Sequence, residues 1–340
     1  MKLKGFSYKE RNWQLTGIDF TILNLIVGKS TAGKSKTLRS LYNVANIIKG
    51  CIEKDYDNVE ALLEFEDDDA TIEFSFKIVD GIVINENLTK NGDVVISRND
   101  EITLLYNEQI QPPIDKLVVN VRVDEKEYPL IYKLSVWANA LEFIGFNKID
   151  DSWKNGRLVK MLNTISDAQK QSISDTLAEV LDYDINEIKI EDKAIFKIVS
   201  VKEKGIDGYL PVETLSTGLF RTLTILVYME YLRTKNNNGT ILIDDFCEGL
   251  DYNHSTKLGK EIYRLCDEMD IQLITASNDS FLMDVVPLKY WNILIRNGNV
   301  VESYNQSKNY GMFEEFMYTG LSNFDLLASN FIYNYTTQKQ

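Results

Sequence analysis

The sequence predicts an α/β protein built around a parallel sheet, and three stretches of the chain support this prediction. An apolar run, Ile22 to Val27, leads into a glycine-containing loop, and residues 36–48 then carry apolar side chains at helical spacing. A second apolar strand, residues 240–243, ends in two adjacent acids. From Glu213 to about Val301, helical and strand patterns alternate, which is typical of a sheet flanked by helices.

The loop after the first apolar run has the pattern Gly-x-x-x-x-Gly-Lys-Ser. Because it lies between a strand and a helix, this pattern predicts a phosphate-binding loop, in which backbone N–H groups and the helix N-terminus attract phosphate oxygens. Lys34 is expected to reach the β- and γ-phosphates, and the Ser35 hydroxyl is expected to ligate Mg²⁺. The predicted binding residues of this segment are Gly28, Lys29, Ser30, Thr31, Ala32, Gly33, Lys34, Ser35 and Lys36.

The composition predicts a folded, cytoplasmic protein without a membrane partner. The chain has 340 residues, of which 44% are hydrophobic, so it can bury a sizeable core. No apolar run approaches the roughly 20 residues that span a bilayer, and the three cysteines lack metal-ligand spacing. A net charge of −14 disfavours sequence-independent binding to DNA, whereas local basic clusters leave DNA open as a partner.

The middle of the chain predicts a different kind of structure. The acid-rich residues 55–69 are expected to form a solvated face or a loop. From Ala70 to Val123, polar and apolar residues alternate, and Asn91-Gly92 is a hairpin signal, so we expect an inserted antiparallel meander. Helical spacing then predicts helices over residues 130–145 and 158–181.

Two short segments after residue 212 complete the predicted site. Ser216, Thr217 and Gly218 precede a long apolar helix, whose N-terminus offers N–H groups and a hydroxyl to an anion; the alternative is an ordinary helix cap. Asp244 follows the strand at 240–243 and is expected to hold Mg²⁺, with Asp245 placed to orient or deprotonate an attacking water. The alternative for these acids is the capping of a turn.

The order of these segments resembles the ABC-type ATPases. Leu-Ser-x-Gly, a helix, the strand ending in Asp244 and Asp245, and then Glu248-Gly249-Leu250-Asp251 resemble the signature, Walker B and D-loop of that family. The resemblance is closer to the soluble branch that includes the SMC, RecF and OLD-like ATPases, and it covers roughly residues 1–50 and 195–300. It implies a P-loop NTPase head of the ABC type with an inserted antiparallel β meander and a helical subdomain.

The resemblance also implies a division into domains. Residues 1–55 and 195–305 would form the ATPase core, and residues 56–194 would form the inserted β and helical subdomain. Residues 306–340 would form a helical tail, whose many aromatic residues are expected to pack on the sheet; a surface for a partner is the alternative.

The cofactors and the oligomeric state follow from the same resemblance. Lys34, Ser35 and Asp244 would bind MgATP in one subunit, and Ser216 and Gly218 would touch the γ-phosphate of ATP held by a second subunit. The residues assigned to this shared contact are Ser216, Thr217, Gly218 and, in the loop between the two sites, Asp251. The expected assembly is a head-to-head homodimer or a higher even oligomer.

Two departures from the family pattern predict slow hydrolysis. The family has Glu after the Walker B aspartate, whereas this chain has Asp245, so Glu248 is a further candidate for the catalytic acid. The family often has a switch histidine after the next strand, where this chain has Asn278. Asn278 is a candidate catalytic residue that could hydrogen-bond a γ-phosphate or a water, but it cannot accept a proton as imidazole does. The only histidine, His254, is expected on the surface.

Four functions are compatible with the sequence. We expect an ATPase that switches conformation to control a protein effector, a nuclease or toxin, as in two-component anti-phage defence. The main alternative is a RecF- or SMC-like ATPase that acts directly on DNA in repair, and a transporter subunit or a small-molecule kinase is less compatible.

By position, Gln109 and Gln111 could sense Mg²⁺. An aromatic partner for adenine could be Tyr8, Trp13 or Phe20.

Overall fold

The structure, a computed structural model, describes residues 1–51, 58–145, 156–193, 196–236, 238–329, 331–332 and 335. The chain forms two compact units. The first contains residues Met1–Phe143 and Pro287–Gln340, and the second contains residues Ile144–Val286. The division into core, insert and tail that the sequence suggests uses other boundaries and stays a prediction.

Strands and helices alternate irregularly along the chain. The strands are β1 (Lys2–Glu10), β2 (Trp13–Asp19), β3 (Leu23–Val27), β4 (Val59–Asp67), β5 (Ala70–Val79), β6 (Ile82–Lys90), β7 (Asp93–Arg98), β8 (Thr103–Leu105), β9 (Glu108–Ile110), β10 (Leu141–Ile144), β11 (Ile185–Lys193), β12 (Phe196–Glu203), β13 (Leu210–Pro211), β14 (Thr240–Ile243), β15 (Gln272–Ala276), β16 (Trp291–Asn297) and β17 (Val300–Tyr304). The helices are α1 (Lys34–Ile48), α2 (Val118–Val121), α3 (Pro129–Asn139), α4 (Leu158–Leu162), α5 (Asp167–Leu181), α6 (Thr217–Thr234), α7 (Tyr252–Glu268), α8 (Ser280–Val285), α9 (Tyr310–Met317) and α10 (Asp325–Ala328).

The first unit is built on a mixed sheet. Its strands follow the order β3-β16-β17-β2-β1-β4-β5-β6-β7-β8-β9. β3 pairs with β16 in parallel and β17 pairs with β2 in parallel, whereas each strand from β4 to β9 pairs antiparallel with the next. Asn91 and Gly92 join β6 to β7 with φ of 51° and 85°, the left-handed values that a tight hairpin turn requires. The predicted antiparallel meander is therefore present.

The acid-rich segment before the meander forms the strand β4 over residues 59–67, so of the two expectations for this segment the structure supports the solvated face and contradicts the loop there. In β4, the apolar residues at 59, 61, 63 and 65 are buried and alternate with more exposed residues, namely Glu60, Leu62, Glu64 and Glu66. This two-residue period is the signal of a half-buried strand, which the high density of acids obscured. Residues 52–57 lie outside the described part of the chain.

From the sequence, the helix after the glycine loop is expected to run to about residue 52, whereas α1 ends at Ile48. Gly50 follows with φ of 88°, a left-handed conformation typical of a helix end. The side-chain amide of Asn120 donates to the carbonyl oxygens of Ile47 and Ile48 at 3.0 and 2.8 Å. A residue distant in sequence thus satisfies carbonyl groups that the end of a helix leaves open.

The second unit contains the three-stranded antiparallel sheet β11-β12-β13 and the parallel pair β14–β15. The predicted helix over 158–181 is two helices, because Ser166 begins α5 and forms a capping box with Gln169. The predicted helix over 130–145 was too long: α3 ends at Asn139, and the following apolar residues form β10. Within the second unit, the backbone N–H of Asp244 donates to the carbonyl oxygen of Ile144 at 3.0 Å.

The C-terminal segment holds two short helices, α9 and α10. Met312, Phe313 and Phe316 of α9 are buried, whereas Tyr310 and Phe324 are exposed, so only part of the aromatic content of the described tail is packed away from solvent. Tyr318, at the end of α9, is exposed.

Candidate functional site

The glycine loop follows β3 and leads into α1, as predicted. A Cβ atom at Gly28 would lie 2.7 Å from the carbonyl oxygen of Leu294, so this position has no room for a side chain. Gly33 has φ of 106°, and a Cβ atom there would lie 3.3 Å from Val301. The two glycines of the motif are therefore required by a close backbone approach at the first position and by a left-handed conformation at the second.

Lys34 folds back onto the loop. Its side chain is 6% exposed, and Nζ donates to the carbonyl oxygens of Gly28 at 2.8 Å and Lys29 at 3.4 Å. Gly33, the N-cap of α1, provides no side-chain cap. Ser35 is half-buried in the first turn of α1. This N-terminus thus combines a lysine, a hydroxyl and a backbone suited to phosphate oxygens.

The remaining loop residues differ in exposure. Lys29, Ser30, Thr31 and Lys36 are exposed, and Ala32 is buried. The Nη1 atom of Arg296, on β16, lies 3.4 Å from the carbonyl oxygen of Thr31, so this arginine contacts the loop although sequence reasoning missed it. No local pattern marks Arg296, because β16 reaches the loop only through the pairing of the sheet.

The three aromatic residues proposed for adenine are buried in the first unit. Trp13 is 6% exposed, and Tyr8 and Phe20 are each 2% exposed. The Nζ atom of Lys36 lies 4.7 Å from the centroid of the Trp13 ring and 3.7 Å from a carboxylate oxygen of Glu10. Trp13 therefore packs against the start of α1 and holds Lys36 by a cation–π contact.

The two glutamines considered as Mg²⁺ sensors lie away from the loop along the sheet. Gln109 belongs to β9, which is at the opposite end of the strand order of the first unit from β3. Gln111 follows β9 directly. This topology does not support a role for either glutamine at the glycine loop, because the meander from β4 to β9 extends away from β3.

In the second unit, the acids after β14 lie in a tight turn. Asp244 is 1% exposed, and Asp245 is half-buried with φ of 49°, which is left-handed and uncommon for a residue other than glycine. The backbone N–H of Glu248 donates to the carbonyl oxygen of Asp245 at 3.0 Å. The turn places Asp244, Asp245 and Glu248 within five consecutive residues of one loop.

A buried arginine on α6 contacts this loop, and sequence reasoning gave it no role. Arg221 is 3% exposed; its Nη1 atom donates to Oε2 of Glu248 at 3.0 Å and its Nη2 atom donates to the carbonyl oxygen of Asp244. Burial lowers the pKa of Arg221 and raises the pKa of Glu248, and the ion pair between them opposes both shifts. The signal in the sequence was a single basic residue in the apolar stretch 219–232.

The Leu-Ser-x-Gly turn packs against the same loop. Ser216 is the N-cap of α6, and its hydroxyl oxygen accepts from the N–H of Leu219 at 3.4 Å. A Cβ atom at Gly218 would lie 2.5 Å from Cδ2 of Leu250 and 2.9 Å from the carbonyl oxygen of Gly249. Gly218 is therefore buried against this loop, whereas Ser216 and Thr217 are exposed.

The remaining predicted residues of the second unit are Asp251 and Asn278. Asp251 is the N-cap of α7 and accepts from the N–H of His254, which lowers the pKa of the carboxyl group. His254 is less exposed than expected, since its ring nitrogens face Asp251 at 2.7 Å and Asp182 at 3.3 Å. Asn278 is exposed after β15, and Asp279 caps α8.

Comparisons with known proteins identify the fold. No protein-family model matches the chain, and no curated protein matches it. A solved SMC head bound to the C-terminal winged-helix domain of ScpA matches with a TM-score of 0.57 and 12% identity, covering 91% of this chain and 99% of that chain. An SMC head with an extended coiled coil, bound to the C-terminal domain of ScpA and derived from Pyrococcus furiosus, matches with a TM-score of 0.57 and 10% identity, covering 93% and 99%.

These similarities show the fold of an SMC head, which is the ABC-type α/β head that the motif order implies. The predicted fold class is thus confirmed. At sequence identities this low, the similarities show only the fold, and they do not show the activity of this chain.

Ser35, in the first unit, and Asp244, in the second unit, each carry an oxygen group of the kind that Mg²⁺ binds. Mg²⁺ is usually bound through one or two protein oxygens together with phosphates and waters. Ser35 and Asp244 offer a hydroxyl and a carboxylate of this kind. Among the described residues, no group of three or more His, Cys, Asp or Glu side chains could hold a metal. Within the same residues, no helix is both long and apolar enough to cross a membrane.

Proposed function

We propose that this chain is an ABC-type ATPase that binds MgATP. The single observation that carries the proposal is the geometry of the glycine loop, in which Gly28 leaves no space for a side chain and Lys34 is buried with Nζ directed at loop carbonyl groups. A lysine that bonds to its own loop can exchange these carbonyl acceptors for phosphate oxygens. The SMC-head fold supports the same proposal.

Each residue has a proposed part in the reaction. Lys34 and the N–H groups of residues 28–35 bind the β- and γ-phosphates and stabilise the charge that develops on them. Bound Mg²⁺ would neutralise phosphate charge, with Ser35 and Asp244 as its protein ligands. Asp245 orients the attacking water and accepts its proton as the bond between the γ-phosphorus and the bridging oxygen breaks, and Glu248 is a further acceptor. The products are ADP and inorganic phosphate.

We further propose that two copies share each nucleotide. Ser216 and Thr217 are exposed at the N-terminus of α6, and Gly218 allows this turn to pack closely on the loop that leads to Asp251. A γ-phosphate from a second copy would meet the hydroxyl groups and the positive end of the helix dipole. Because Asp245 is shorter than Glu and Asn278 cannot accept a proton, hydrolysis is expected to be slow and to act as a conformational switch.

The switch is proposed to control a protein effector, a nuclease or toxin in anti-phage defence. Both SMC heads cited above are bound to a protein, the C-terminal domain of ScpA, so the fold supports a protein partner. The net charge of −14 opposes a mainly electrostatic contact with nucleic acid. Direct action on DNA, as in RecF- or SMC-like repair, is the second candidate, favoured by the exposed Lys29, Lys36 and Arg39.

The test is the mass of the protein in solution by size-exclusion chromatography with light scattering. We expect the Asp245→Asn variant to become a dimer with MgATP and to stay a monomer with MgADP or without nucleotide, since slow hydrolysis would preserve the shared ATP. The same run with a 30-base-pair duplex, added at about 150 mM salt, separates the two candidates, because co-elution only with ATP would favour direct action on DNA. A monomer at saturating ATP would contradict the shared site.

A further inference from the structure

We propose that Arg221 is a positioning residue that ties the Leu-Ser-x-Gly turn to the acidic loop after β14 and acts on the reaction through Glu248. This inference rests on the proposed function. Arg221 is buried on α6, and its guanidinium group contacts Glu248 and the carbonyl oxygen of Asp244. Its role would therefore be to hold other groups in place.

The first argument is the cost of burying a guanidinium group. A buried charge is strongly unfavourable unless its hydrogen bonds are satisfied, and hydrophobic residues of similar volume often stabilise a protein better. Nη1 and Nη2 of Arg221 have partners in Glu248 and Asp244, whereas Nε is buried without a hydrogen-bond partner. Packing alone does not explain such a residue, because leucine would fill the same helix face without the free-energy cost of burying a charge.

The second argument is the position of Arg221 on α6. Residues three apart lie on the same face of a helix, so Gly218 and Arg221 face the same loop. Gly218 packs on Gly249 and Leu250, and Arg221 contacts Glu248 and the carbonyl group of Asp244. One face of α6 therefore holds the acidic loop near both of its ends, and a shift of the turn would displace the loop.

The consequence concerns communication between two nucleotides. If the exposed hydroxyl groups of Ser216 and Thr217 bind the γ-phosphate held by a second copy, the position of α6 reports that this phosphate is present. Arg221 then transmits the position of α6 to Glu248 and to the backbone that carries Asp244 and Asp245. ATP in one site would thereby set the geometry of the acids that serve the other site.

Steady-state ATP hydrolysis tests this role, with Arg221→Lys and Arg221→Gln as variants. Arg221→Gln should lower kcat by at least about ten-fold and change KM by less than about three-fold, because the residue does not touch the nucleotide. Arg221→Lys keeps the positive charge but cannot form both hydrogen bonds of the guanidinium group, so its kcat should lie between those of Arg221→Gln and the wild type. Arg233→Gln is the matched control: Arg233 is on the same helix and pairs with Glu230 at 3.2 Å, and its loss should leave kcat unchanged.

A double-mutant cycle with Glu248→Gln separates action through Glu248 from a general loss of structure. The double variant Arg221→Gln/Glu248→Gln should be no slower than the slower single variant. The acidic limb of the pH profile of kcat should move in Arg221→Gln and should not move further in the double variant. Additive losses, a changed KM with constant kcat, or full activity of Arg221→Gln would overturn the proposal.

Hydrogen exchange supplies a readout that does not need hydrolysis. Without nucleotide, the backbone N–H groups of residues 245–250 should exchange faster in Arg221→Lys than in the wild type, and no faster in Arg233→Gln. Unchanged exchange in Arg221→Lys would overturn the coupling even if the protein is an ATPase. A wild type that binds no ATP would overturn the proposed function, while faster exchange in Arg221→Lys would still support the physical tie between α6 and the loop.

Discussion

Two helices that are predicted to meet phosphate, α1 and α6, begin in different ways. α1 follows Gly33, which has no side chain to cap it, and Lys34 occupies carbonyl groups of the loop. α6 follows Ser216, whose hydroxyl oxygen accepts from the N–H of Leu219 at 3.4 Å. The N-terminus of α1 thus has no side-chain cap, whereas at α6 the hydroxyl that would bind phosphate also caps the helix.

A third helix, α2, shows what a negative charge does at such a position. The buried carboxylate of Glu86 accepts from the N–H groups of Val118 at 2.6 Å and Val119 at 3.1 Å, which begin α2. Here the chain supplies its own anion to a helix N-terminus. The three helices together teach that a helix N-terminus can lack a side-chain cap, be capped by a hydroxyl that a ligand would also use, or be occupied by a carboxyl group of the protein itself.

The largest expected effect is at α1. Lys34→Ala removes a buried charge that is directed at carbonyl groups of the loop, so MgATP affinity should fall by more than about 100-fold, or about 3 kcal/mol. Isothermal titration measures the loss. Arg39→Ala, an exposed residue on the same helix, is the control and should bind ATP normally. Equal affinity of Lys34→Ala and the wild type would remove the distinction between α1 and the other two helices.

The second effect is a pH dependence at α2. Burial raises the pKa of Glu86 from 4.5 to about 7, against the lowering effect of its two N–H donors. The folded state then binds this proton more tightly than the unfolded state, so the free energy of unfolding should decrease as pH rises from about 4.5 to 7 and level off above, by at most about 3 kcal/mol.

Urea unfolding at a series of pH values measures this slope, and Glu86→Gln is the variant that should flatten it. Glu60→Gln, an exposed acid on β4, should keep the wild-type slope. If Glu86→Gln retains the full decrease between pH 5 and 7, the carboxylate at α2 is not the titrating group.

The third effect tests the close packing of α6. Gly218→Ala would bring a methyl group to within 2.9 Å of a backbone oxygen, which should cost about 2 kcal/mol of unfolding free energy. Gly259→Ala on α7 is a matched control, because its methyl group would meet a side-chain carbon of Leu282 at 2.6 Å and no backbone oxygen, and alanine favours a helix. Similar losses in both variants would mean that the loop beside Gly218 adapts.

The smallest effect separates the two roles of Ser216. Ser216→Ala should lose about 1 kcal/mol of unfolding free energy, and Ser216→Asp should lose almost none, because aspartate is as good an N-cap as serine. Both should fail to form the ATP-dependent dimer, since alanine lacks the hydroxyl and aspartate repels the γ-phosphate. Thermal unfolding and light scattering give the two readouts. An ATP-dependent dimer of Ser216→Asp would show that Ser216 is a cap and nothing more.

Local pattern was enough to predict much of this protein. The glycine loop, the strand that ends in Asp244 and the hairpin at Asn91-Gly92 each depend on residues that are adjacent in sequence, and the structure contains all three. For the acidic segment, a solvated face and a loop were both expected, and only the loop was wrong, because the charge was given more weight than the two-residue period of a strand. The prediction of one helix over 158–181 was wrong because the capping pair Ser166 and Gln169 was overlooked. Their spacing of three residues is a helix-start signal that can be recognised from the sequence.

By itself, the sequence determined the fold class, the phosphate-binding motif and the order of the segments around it, because these follow from short-range periodicity and from the conformations that glycine permits. Only the tertiary structure decided that Arg221 joins α6 to Glu248, that Asn120 closes the end of α1, and that Glu86 caps α2. Each of these contacts joins residues 27 or more positions apart. Such a contact produces no periodic pattern in the sequence, because its contribution to the free energy of folding depends on burial that exists only after the chain has folded.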